Sequence, residues 1–321
     1  PARLLSDLHL GHDVSTIQSA AQLEPLLEGI ATLILNGDTV ESKLASFRER
    51  SYALLADLRA LAAARGVELI LLNGNQMAAL MVYYILKTRK DQGTLLAHQF
   101  MVKTIVTTEL IDAMCADFKV PCYNVLTGFK YIAMVIRELE GKEEFIGGGE
   151  ESYGFMTSAI VRDKDAVAAC ALIAEMAASA RANSSNLYEM LEEMYVNHGV
   201  WLEDMKSITI EGKSGQEEIA KMMRDFRTNP PVNLGGSRVK LVHDYQELRT
   251  SNQIDGSTLP LDFPKSNVLQ FVTESGFKVS ARPSGTEPKI KFYFSVSQPV
   301  ENIGEIDSAM ANLKELIEKI K

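Results

Sequence analysis

Val67-Glu68-Leu69-Ile70-Leu71-Leu72-Asn73-Gly74-Asn75 is a mostly apolar run that stops at a short polar turn. A short apolar run bounded by turn residues is typical of a strand that is buried on both faces of a sheet. The helical spacing of the apolar residues over 77–88 predicts that a helix follows the turn directly. Strand, turn and helix in this order predict an α/β unit built on parallel strands.

The same alternation extends from this turn in both directions along the chain. Upstream, strands are predicted over 2–6 and 32–36, and helices over 17–29 and 42–65. Downstream, strands are predicted over 101–106, 121–125 and 145–146, and helices over 108–118, 129–139, 165–182 and 186–198. The strand at 145–146 is expected to end at Gly147-Gly148-Gly149. The predicted fold class is α/β, with doubly wound sheet segments whose strands are parallel or mixed.

The pattern changes after about residue 200, where predicted strands follow one another with few helices between them. Strands are predicted over 207–211, 239–243, 268–273, 277–281 and 289–296, helices over 216–227 and 303–320, and a loop-rich stretch over 249–264. This pattern predicts a smaller α+β C-terminal domain. We therefore expect three segments, over 1–75, 76–200 and 201–321.

The composition limits the classes of partner. The chain has 321 residues, of which 46% are hydrophobic, so it can bury real cores and is not a disordered protein. Its 33 basic and 42 acidic side chains give a formal net charge of −9, which argues against a nucleic-acid or anionic-membrane partner. A small anionic substrate stays open, because a local pocket can supply the cations that the whole chain lacks.

Cysteine and histidine usage argues against several kinds of site. Cys115, Cys122 and Cys170 are odd in number and show no Cys-x-x-Cys spacing, so neither a disulfide framework nor a thiolate zinc site is predicted. No apolar run reaches the length of about 18 residues that a membrane-spanning helix needs. We expect a protein of the reducing cytoplasm. The pattern does not predict the oligomeric state.

The densest group of phosphate-type donors is Arg282-Pro283-Ser284-Gly285-Thr286-Glu287-Pro288-Lys289. Arg282 offers a guanidinium fork, Ser284 and Thr286 offer hydroxyls, and Gly285 lets the backbone approach a ligand closely. These residues predict a phosphate-binding loop. The alternative is an ordinary tight turn between two strands, where proline and glycine are common.

A second motif is Gly147-Gly148-Gly149-Glu150-Glu151-Ser152-Tyr153-Gly154, which follows a predicted strand. Its carboxylates and its serine could bind the hydroxyls of a sugar. The alternative is a flexible loop whose acidic side chains are solvated. Two shorter elements accompany it. Thr127-Gly128 forms a strand-to-helix turn, and Lys164 stands before a helix, where a charged cap is the alternative.

Together these elements resemble the α-D-phosphohexomutase family, which includes phosphoglucomutases and phosphomannomutases, over about residues 71–321. The resemblance implies that residues 76–200 correspond to the family's third domain and residues 201–321 to its fourth. It also implies that Glu150 and Ser152 read sugar hydroxyls, that Thr127, Gly128 and Lys164 position the substrate, and that Arg282, Ser284, Gly285 and Thr286 hold its phosphate. The implied ligand is a hexose phosphate.

Two loops that the family needs for turnover are missing from the sequence. The family carries a phosphoserine on a Thr-Ala-Ser-His-Asn-Pro loop and binds Mg²⁺ on an Asp-Gly-Asp-x-Asp-Arg loop. The chain contains no Ser-His-Asn and no Asp-x-Asp-x-Asp run. The sequence therefore predicts recognition of a phosphosugar without competence as a mutase on its own, and no catalytic residue is assigned.

The N-terminal segment has a resemblance of its own, to the opening of calcineurin-like metallophosphoesterases. Asp7 and His9, then Asp38, then Asn75 stand at or near predicted strand ends, in the order of that family's metal ligands. The resemblance implies a site for a divalent ion such as Mn²⁺. The match is incomplete, because Gln76 stands where the family has a histidine.

The two resemblances meet at Leu71-Leu72-Asn73-Gly74-Asn75, which suggests that the chain joins a phosphoesterase fragment to the C-terminal half of a mutase. Such a join would let the two α/β pieces continue one sheet. A deliberate fusion is the leading explanation, with a natural rearrangement or an error in assembling the sequence as alternatives. A metal-dependent phosphoesterase and a non-catalytic engineered scaffold are the competing functional hypotheses.

Overall fold

The computed structural model describes residues 2–6, 17, 19–36, 45–210 and 214–321, which fall into two compact units. The first consists of the described residues within Pro1–Thr107, Cys115–Tyr123 and Gly128–Leu191. The second consists of those within Thr108–Met114, Asn124–Thr127 and Glu192–Lys321. Among the helices in these ranges, none combines the length and apolarity needed to cross a membrane.

The first unit opens with a parallel sheet in the order β1-β2-β3. Its elements are β1 (Ala2–Ser6), a 3-10 helix (Ala20–Leu27), β2 (Thr32–Asn36), α1 (Ala45–Ala64) and β3 (Glu68–Leu71). Leu33 and Leu35 of β2 are buried against Leu23 and Leu27 of the 3-10 helix and Leu58 of α1. The helix predicted over 17–29 is thus a shorter 3-10 helix, and Pro25 inside it lacks the N–H that an α-helix would use.

A four-stranded sheet of the first unit has the order β5-β4-β6-β7. The elements are α2 (Gly74–Asp91), β4 (Gln99–Thr104), α3 (Leu110–Phe118), β5 (Cys122–Val125), α4 (Phe129–Leu139), β6 (Glu144–Gly149), β7 (Phe155–Met156), α5 (Ala166–Ala182) and α6 (Leu187–His198). The strands β4 and β6 are parallel, and β7 runs antiparallel to β6. In α2 every residue over 77–86 is buried, as expected of a helix in the interior.

The first three strands do not extend the four-stranded sheet. In the described part of the chain β3 pairs with β2, and β1-β2-β3 form a sheet of their own. The expectation that the two α/β pieces continue one sheet is therefore wrong. A helix follows β3 as in any parallel α/β unit, but the next strand, β4, pairs with β5 and β6 and not with β3.

The strand before the triple glycine is longer than the sequence predicts, because β6 runs through all three glycines. A Cβ atom on Gly148 would lie 1.9 Å from the carbonyl oxygen of Val102 in β4. A Cβ atom on Gly149 would lie 2.2 Å from the carbonyl oxygen of Gly154. The glycines are thus positions of close backbone approach inside the sheet, and they do not terminate the strand.

The second unit is an antiparallel sheet in the order β12-β11-β10-β13-β14-β15-β8, with β9 paired to β10. Its strands are β8 (Val200–Thr209), β9 (Asn233–Leu234), β10 (Ser237–Asp244), β11 (Arg249–Asn252), β12 (Thr258–Pro260), β13 (Leu269–Thr273), β14 (Lys278–Pro283) and β15 (Lys289–Gln298). The helices are α7 (Gly215–Thr228), a 3-10 turn (Ile303–Glu305) and α8 (Ile306–Ile320). Helix α7 packs on β14 and β15, and α8 packs on β8 and β15. The α/β class with a C-terminal α+β domain is confirmed.

Two details of this unit differ from the prediction. The stretch 249–264 contains the strands β11 and β12, whose residues are polar or exposed; β12 is the edge strand of the sheet and β11 lies next to it. The strand β8 begins at Val200, well before residue 207, because its whole length pairs with β15. In both places pairing with a neighbouring strand decides the structure.

Candidate functional site

The residues 150–154, here called the carboxylate loop, connect β6 to β7. The loop is closed by a hydrogen bond from the Glu150 N–H to the Gly154 carbonyl at 2.8 Å. The Glu150 Oε1 accepts a hydrogen bond from the backbone N–H of Gly128 at 2.5 Å, and the Ser152 hydroxyl lies 3.5 Å from Glu150 Oε2. The structure therefore brings together three of the residues that the sequence singled out.

The first turn of α4 forms the other side of this arrangement. Gly128 is the N-cap of α4, and its φ of +118° is a conformation that side-chain-bearing residues rarely adopt. The free N–H groups of a helix start attract negative charge, which suits the Glu150 carboxylate there. A Cβ atom on Gly154 would lie 2.4 Å from Cε2 of Phe129, so this glycine lets the loop pack against α4.

Lys164 and Thr127 complete the set of predicted sugar-binding residues. The Lys164 ammonium lies 5.6 Å from the centre of the Phe129 ring and 3.4 Å from Asp163 Oδ1, and the side chain is exposed. Lys164 is thus placed near the start of α4 with Gly128. Thr127 is half-buried, precedes Gly128 directly in the chain, and falls in the second unit.

The Glu151 side chain makes contacts that the sequence did not predict. Its Oε2 lies 3.4 Å from the hydroxyls of Thr104 and Thr107, which are themselves 2.8 Å apart. Burial raises the pKa of the Glu151 carboxyl, and the neighbouring Glu150 charge raises it further. The pair Glu150-Glu151 was a visible signal, but the threonines that receive Glu151 are separated from it by more than forty residues in the chain.

The turn Asn73-Gly74-Asn75-Gln76 has a complete structural explanation at the start of α2. The Asn73 Oδ1 accepts a hydrogen bond from the Gln76 N–H at 2.9 Å, and the Gln76 Oε1 accepts one from the Asn73 N–H at 3.1 Å. This is a capping box, in which each side chain satisfies a free backbone N–H of the other residue. Gln76, which occupies the place of a phosphoesterase histidine, is therefore a capping residue here.

The predicted metal ligands are only partly covered by the structure. Asp7, His9 and Asp38 lie outside the described residues, and Asn75 is half-buried in the first turn of α2. Across the described ranges, no group of three or more His, Cys, Asp or Glu side chains is arranged to hold a metal ion. Within the described part of the chain there is thus no set of side chains that fits the Mg²⁺ implied by the mutase resemblance, and no chemical step is assigned to a metal. The Mn²⁺ site stays a prediction from the sequence.

The predicted phosphate-binding residues lie where β14 turns into β15. Arg282 is half-buried near the end of β14, and residues 284–287 are exposed. The Ser284 hydroxyl accepts hydrogen bonds from the N–H groups of Thr286 and Glu287 at 3.3 Å each. The Ser284 N–H donates to the Lys289 carbonyl at 2.7 Å. The structure thus forms the tight turn that the sequence allowed as an alternative, and it presents the hydroxyls and the glycine on the outside.

Gly285 in this turn is not required by the fold. A Cβ atom built on Gly285 would meet no atom within 4 Å, and its φ lies outside the positive region. Glycine is conformationally costly where the backbone does not need it. The open space beside Gly285 therefore leaves room for a ligand to approach the backbone.

A row of polar side chains crosses the antiparallel sheet, and the sequence analysis did not find it. Thr250, His243, Gln270 and Ser280 stand directly opposite one another on adjacent strands. The His243 Nδ1 lies 2.8 Å from the Thr250 hydroxyl, and Gln270 Nε2 donates to Ser280 Oγ at 2.8 Å. The Tyr245 hydroxyl donates to Gln270 Oε1 at 2.7 Å, and burial raises the Tyr245 pKa. The four residues lie on four different strands, so no local pattern in the sequence indicated the row.

A buried ion pair lies beside this row. Lys278 of β14 pairs with Glu109, and the Lys278 side chain is 8% exposed against 33% for Glu109. Burial lowers the pKa of His243, the Lys278 charge lowers it further, and the Glu109 charge opposes them. The three groups therefore form one electrostatically coupled cluster inside the second unit.

One stretch of the sequence matches the model of a known protein family. Residues 73–195 match the family model described as phosphoglucomutase/phosphomannomutase, alpha/beta/alpha domain III. This range starts at the N-cap of α2 and includes the carboxylate loop, Gly128 and Lys164.

Curated relatives and a solved structure extend the similarity. The phosphoglucomutase of Staphylococcus aureus strain MRSA252 is 39% identical over 227 residues, which are 71% of this chain and 40% of the relative. The enzyme of that name from strain MSSA476 is 38% identical over 224 residues. The chain thus spans about 40% of the length of these relatives.

In fold, a crystal structure of pp63/parafusin, a phosphoglucomutase from Paramecium in its open form, aligns with a TM-score of 0.53 at 17% identity. The alignment covers 80% of this chain and 42% of that one. The chain therefore resembles the phosphohexomutase family of phosphoglucomutases and phosphomannomutases, in the sequence of its domain III and in its fold.

Proposed function

We propose that the chain recognises a hexose phosphate, with the carboxylate loop binding sugar hydroxyls and the turn 284–288 binding the phosphate. The observation that carries the proposal is the placement of the Glu150 carboxylate and the Ser152 hydroxyl beside the Gly128 N–H at the start of α4. These residues lie inside the segment that matches the phosphoglucomutase/phosphomannomutase family.

The chemistry of the carboxylate loop suits a polyol. A carboxylate offers several acceptor sites on its two oxygens, and the Gly128 N–H occupies one site on Glu150 Oε1. The remaining sites can accept from hydroxyls of a sugar ring, and charge-assisted hydrogen bonds of this kind are stronger than neutral ones. Lys164 adds an exposed ammonium near the same helix start.

The chemistry of the turn 284–288 suits a phosphate. Arg282 supplies a guanidinium, which matches two phosphate oxygens at once. Ser284 and Thr286 supply hydroxyls on the exposed side of the turn, and Gly285 leaves its backbone approachable. The fold does not need a glycine at position 285, which supports a ligand-based reason for it.

The proposal is recognition without turnover by this chain alone. The sequence contains neither the phosphoserine loop nor the Asp-rich loop that the mutase resemblance implies. The aligned 227 residues are only 40% of the length of the relative that carries the name phosphoglucomutase.

Isothermal titration of the full chain with glucose 1-phosphate, glucose 6-phosphate, glucose and inorganic phosphate tests the proposal. We expect both sugar phosphates to bind more tightly than glucose or phosphate alone. Arg282→Ala should weaken the sugar phosphates and inorganic phosphate together, whereas Glu150→Gln should weaken the sugar phosphates and leave phosphate unchanged. Matched controls are Arg249→Ala, an exposed residue of β11 in the same sheet, and Glu138→Gln, on the exposed side of α4. Absence of any heat or saturation with both sugar phosphates would contradict the proposal.

We also propose that residues 1–75 and 76–321 have different origins. The support is positional: the family match begins at residue 73, where the two sequence resemblances meet. Reading the encoding gene from independently prepared source DNA tests this. A continuous natural gene whose product aligns to mutases along its whole length would contradict it.

A further inference from the structure

We propose that Glu151 is a positioning residue, whose half-buried side chain fastens the carboxylate loop to the end of β4 and so directs Glu150 and Ser152 toward the ligand. The inference deepens the proposed function and rests on it for the identity of the ligand. The fastening itself is a property of the first unit and can be tested without any ligand.

The Glu151 side chain contacts two buried hydroxyls, those of Thr104 and Thr107. Thr104, the last residue of β4, is fully buried and Thr107 is 1% exposed. The two hydroxyls lie 2.8 Å apart, so one proton is used between them. The other proton needs an acceptor, and Glu151 Oε2 lies 3.4 Å from both oxygens. An acceptor at position 151 therefore satisfies a polar pair that burial would otherwise penalise.

A buried lysine contacts the backbone of one of these threonines. The Lys103 side chain is fully buried, and its ammonium donates to the Thr107 carbonyl at 3.3 Å. This hydrogen bond holds the segment after β4 in place. Lys103 therefore links β4 to Thr107, which is one of the two residues that contact Glu151.

The backbone of the carboxylate loop is held from a second side by the start of α2. A Cβ atom on Gly74 would lie 1.8 Å from the Glu151 carbonyl oxygen, so only glycine permits this contact. The Tyr153 hydroxyl lies 3.4 Å from the Leu72 carbonyl. The carboxylate loop thus contacts the end of β4 through the Glu151 side chain. It contacts the start of α2 through the Glu151 backbone and the preceding residue Leu72 through the Tyr153 hydroxyl.

Two neighbouring carboxylates in this loop have opposite environments. The Glu151 carboxylate contacts the two threonine hydroxyls, whereas the Glu150 carboxylate accepts a hydrogen bond from the Gly128 N–H. The Ser152 side chain is exposed. Because 150 and 151 are adjacent, fixing the side chain of one limits the directions open to the other. Glu151 therefore acts on the ligand through Glu150.

Four variants of the full chain test the inference: Glu151→Ala removes the acceptor, Glu151→Gln keeps an acceptor oxygen without the charge, Thr104→Val with Thr107→Val removes the donors, and Glu138→Gln is the exposed control. The ligand-free readout is the Gly128 amide resonance in ¹H–¹⁵N NMR spectra, which reports its hydrogen bond to Glu150. The second readout is the affinity for glucose 1-phosphate by calorimetry.

We expect Glu151→Ala and the double valine variant to shift the Gly128 amide upfield and to weaken binding about tenfold, as misplacement of a binding group does. Glu151→Gln should restore both readouts to near the native values. A native Gly128 resonance in Glu151→Ala would overturn the inference, even if its melting temperature fell. So would a Gln variant that behaves like the Ala variant. If the native chain binds no sugar phosphate, the proposed function fails, while the Gly128 resonance still decides whether Glu151 positions the loop.

Discussion

The Glu150 carboxylate accepts a hydrogen bond from the backbone N–H of Gly128, with 2.5 Å between Oε1 and the amide nitrogen. Twenty-two positions separate these residues in the chain, so the contact ties the loop after β6 to the start of α4. The helix start supplies the donor, and the carboxylate supplies the charge that a helix N-terminus favours. This contact depends on a backbone conformation at Gly128 that only glycine adopts easily.

Gly128→Ala should therefore destabilise the protein. At a φ of +118° a Cβ atom is strained whatever space surrounds it, and strain of this kind costs about 1–3 kcal/mol. Urea unfolding followed by circular dichroism measures the change. Gly285→Ala is the matched control, because Gly285 has no positive φ and no atom within 4 Å of a built Cβ. Equal unfolding midpoints for the two variants would contradict the argument.

Gly74→Ala separates helix propensity from packing. Gly74 begins α2, where alanine is the better helix former by about 1 kcal/mol. The added Cβ would nevertheless lie 1.8 Å from the Glu151 carbonyl oxygen, so the carboxylate loop has to move. We expect a net loss of about 1–3 kcal/mol in unfolding free energy, together with weaker binding of glucose 1-phosphate. Gly304→Ala, which meets only the movable side chain of Asn302 at 3.2 Å, should cost much less. A stabilised Gly74→Ala protein would show that the contact is absent.

The sequence predicts the elements of the first unit well, because its buried strands are apolar and end at polar turns. The helix α4 has the predicted bounds, and α2 and α6 differ from theirs by a few residues at most. The structure places Glu150 and Ser152 beside Gly128 at the start of α4. The family match over 73–195 confirms the resemblance on which their roles rest, while the roles themselves stay predictions.

What the sequence did not predict depends on which strands are neighbours. The glycines of β6 look like a strand end until Val102 of β4 is placed beside them. The contacts of Glu151 are with Thr104 and Thr107, which are distant from it in the chain. The polar row from Thr250 to Ser280 forms only because the strands lie in the order β11-β10-β13-β14. Such contacts join distant positions, so local patterns of polarity carry no information about them.

Glu151→Gln should change the pH dependence of stability. The folded-state pKa of Glu151 is raised above its ordinary value of 4.5, mainly by burial. A raised carboxyl pKa means that the stability contribution is present at pH below 4.5 and is lost as pH rises through the folded pKa. Glutamine does not titrate, so the stability of the variant relative to the native protein should rise as the pH increases from 4.5 through the folded-state pKa of Glu151. Unfolding free energies across this range, with Glu138→Gln as background, test the trend; a difference that falls with pH would contradict it.

The ion pair between Lys278 and Glu109 should respond asymmetrically to its two single substitutions. Glu109→Gln leaves the Lys278 ammonium, 8% exposed, without this carboxylate, and we expect a loss of about 2–4 kcal/mol. Lys278→Met leaves Glu109, which is 33% exposed and keeps water, so the loss should be about 1 kcal/mol. The double variant should unfold close to Lys278→Met. Urea unfolding of all four proteins completes the cycle, and equal losses from the two single variants would show that burial does not set the cost.

His243 provides an independent measurement on the same cluster. Burial is the largest cause that lowers the pKa of His243, and the Lys278 charge lowers it further. The Glu109 charge raises it. Lys278→Met removes a lowering cause, so the pKa of His243 should rise. Glu109→Gln removes the raising cause, so the same pKa should fall. NMR titration of the imidazole resonances in the two variants gives both values, with Lys240→Met, an exposed change on the strand that carries His243, as control. Shifts of His243 in the same direction in both variants would contradict the assignment, because opposite charges at one site must act with opposite sign.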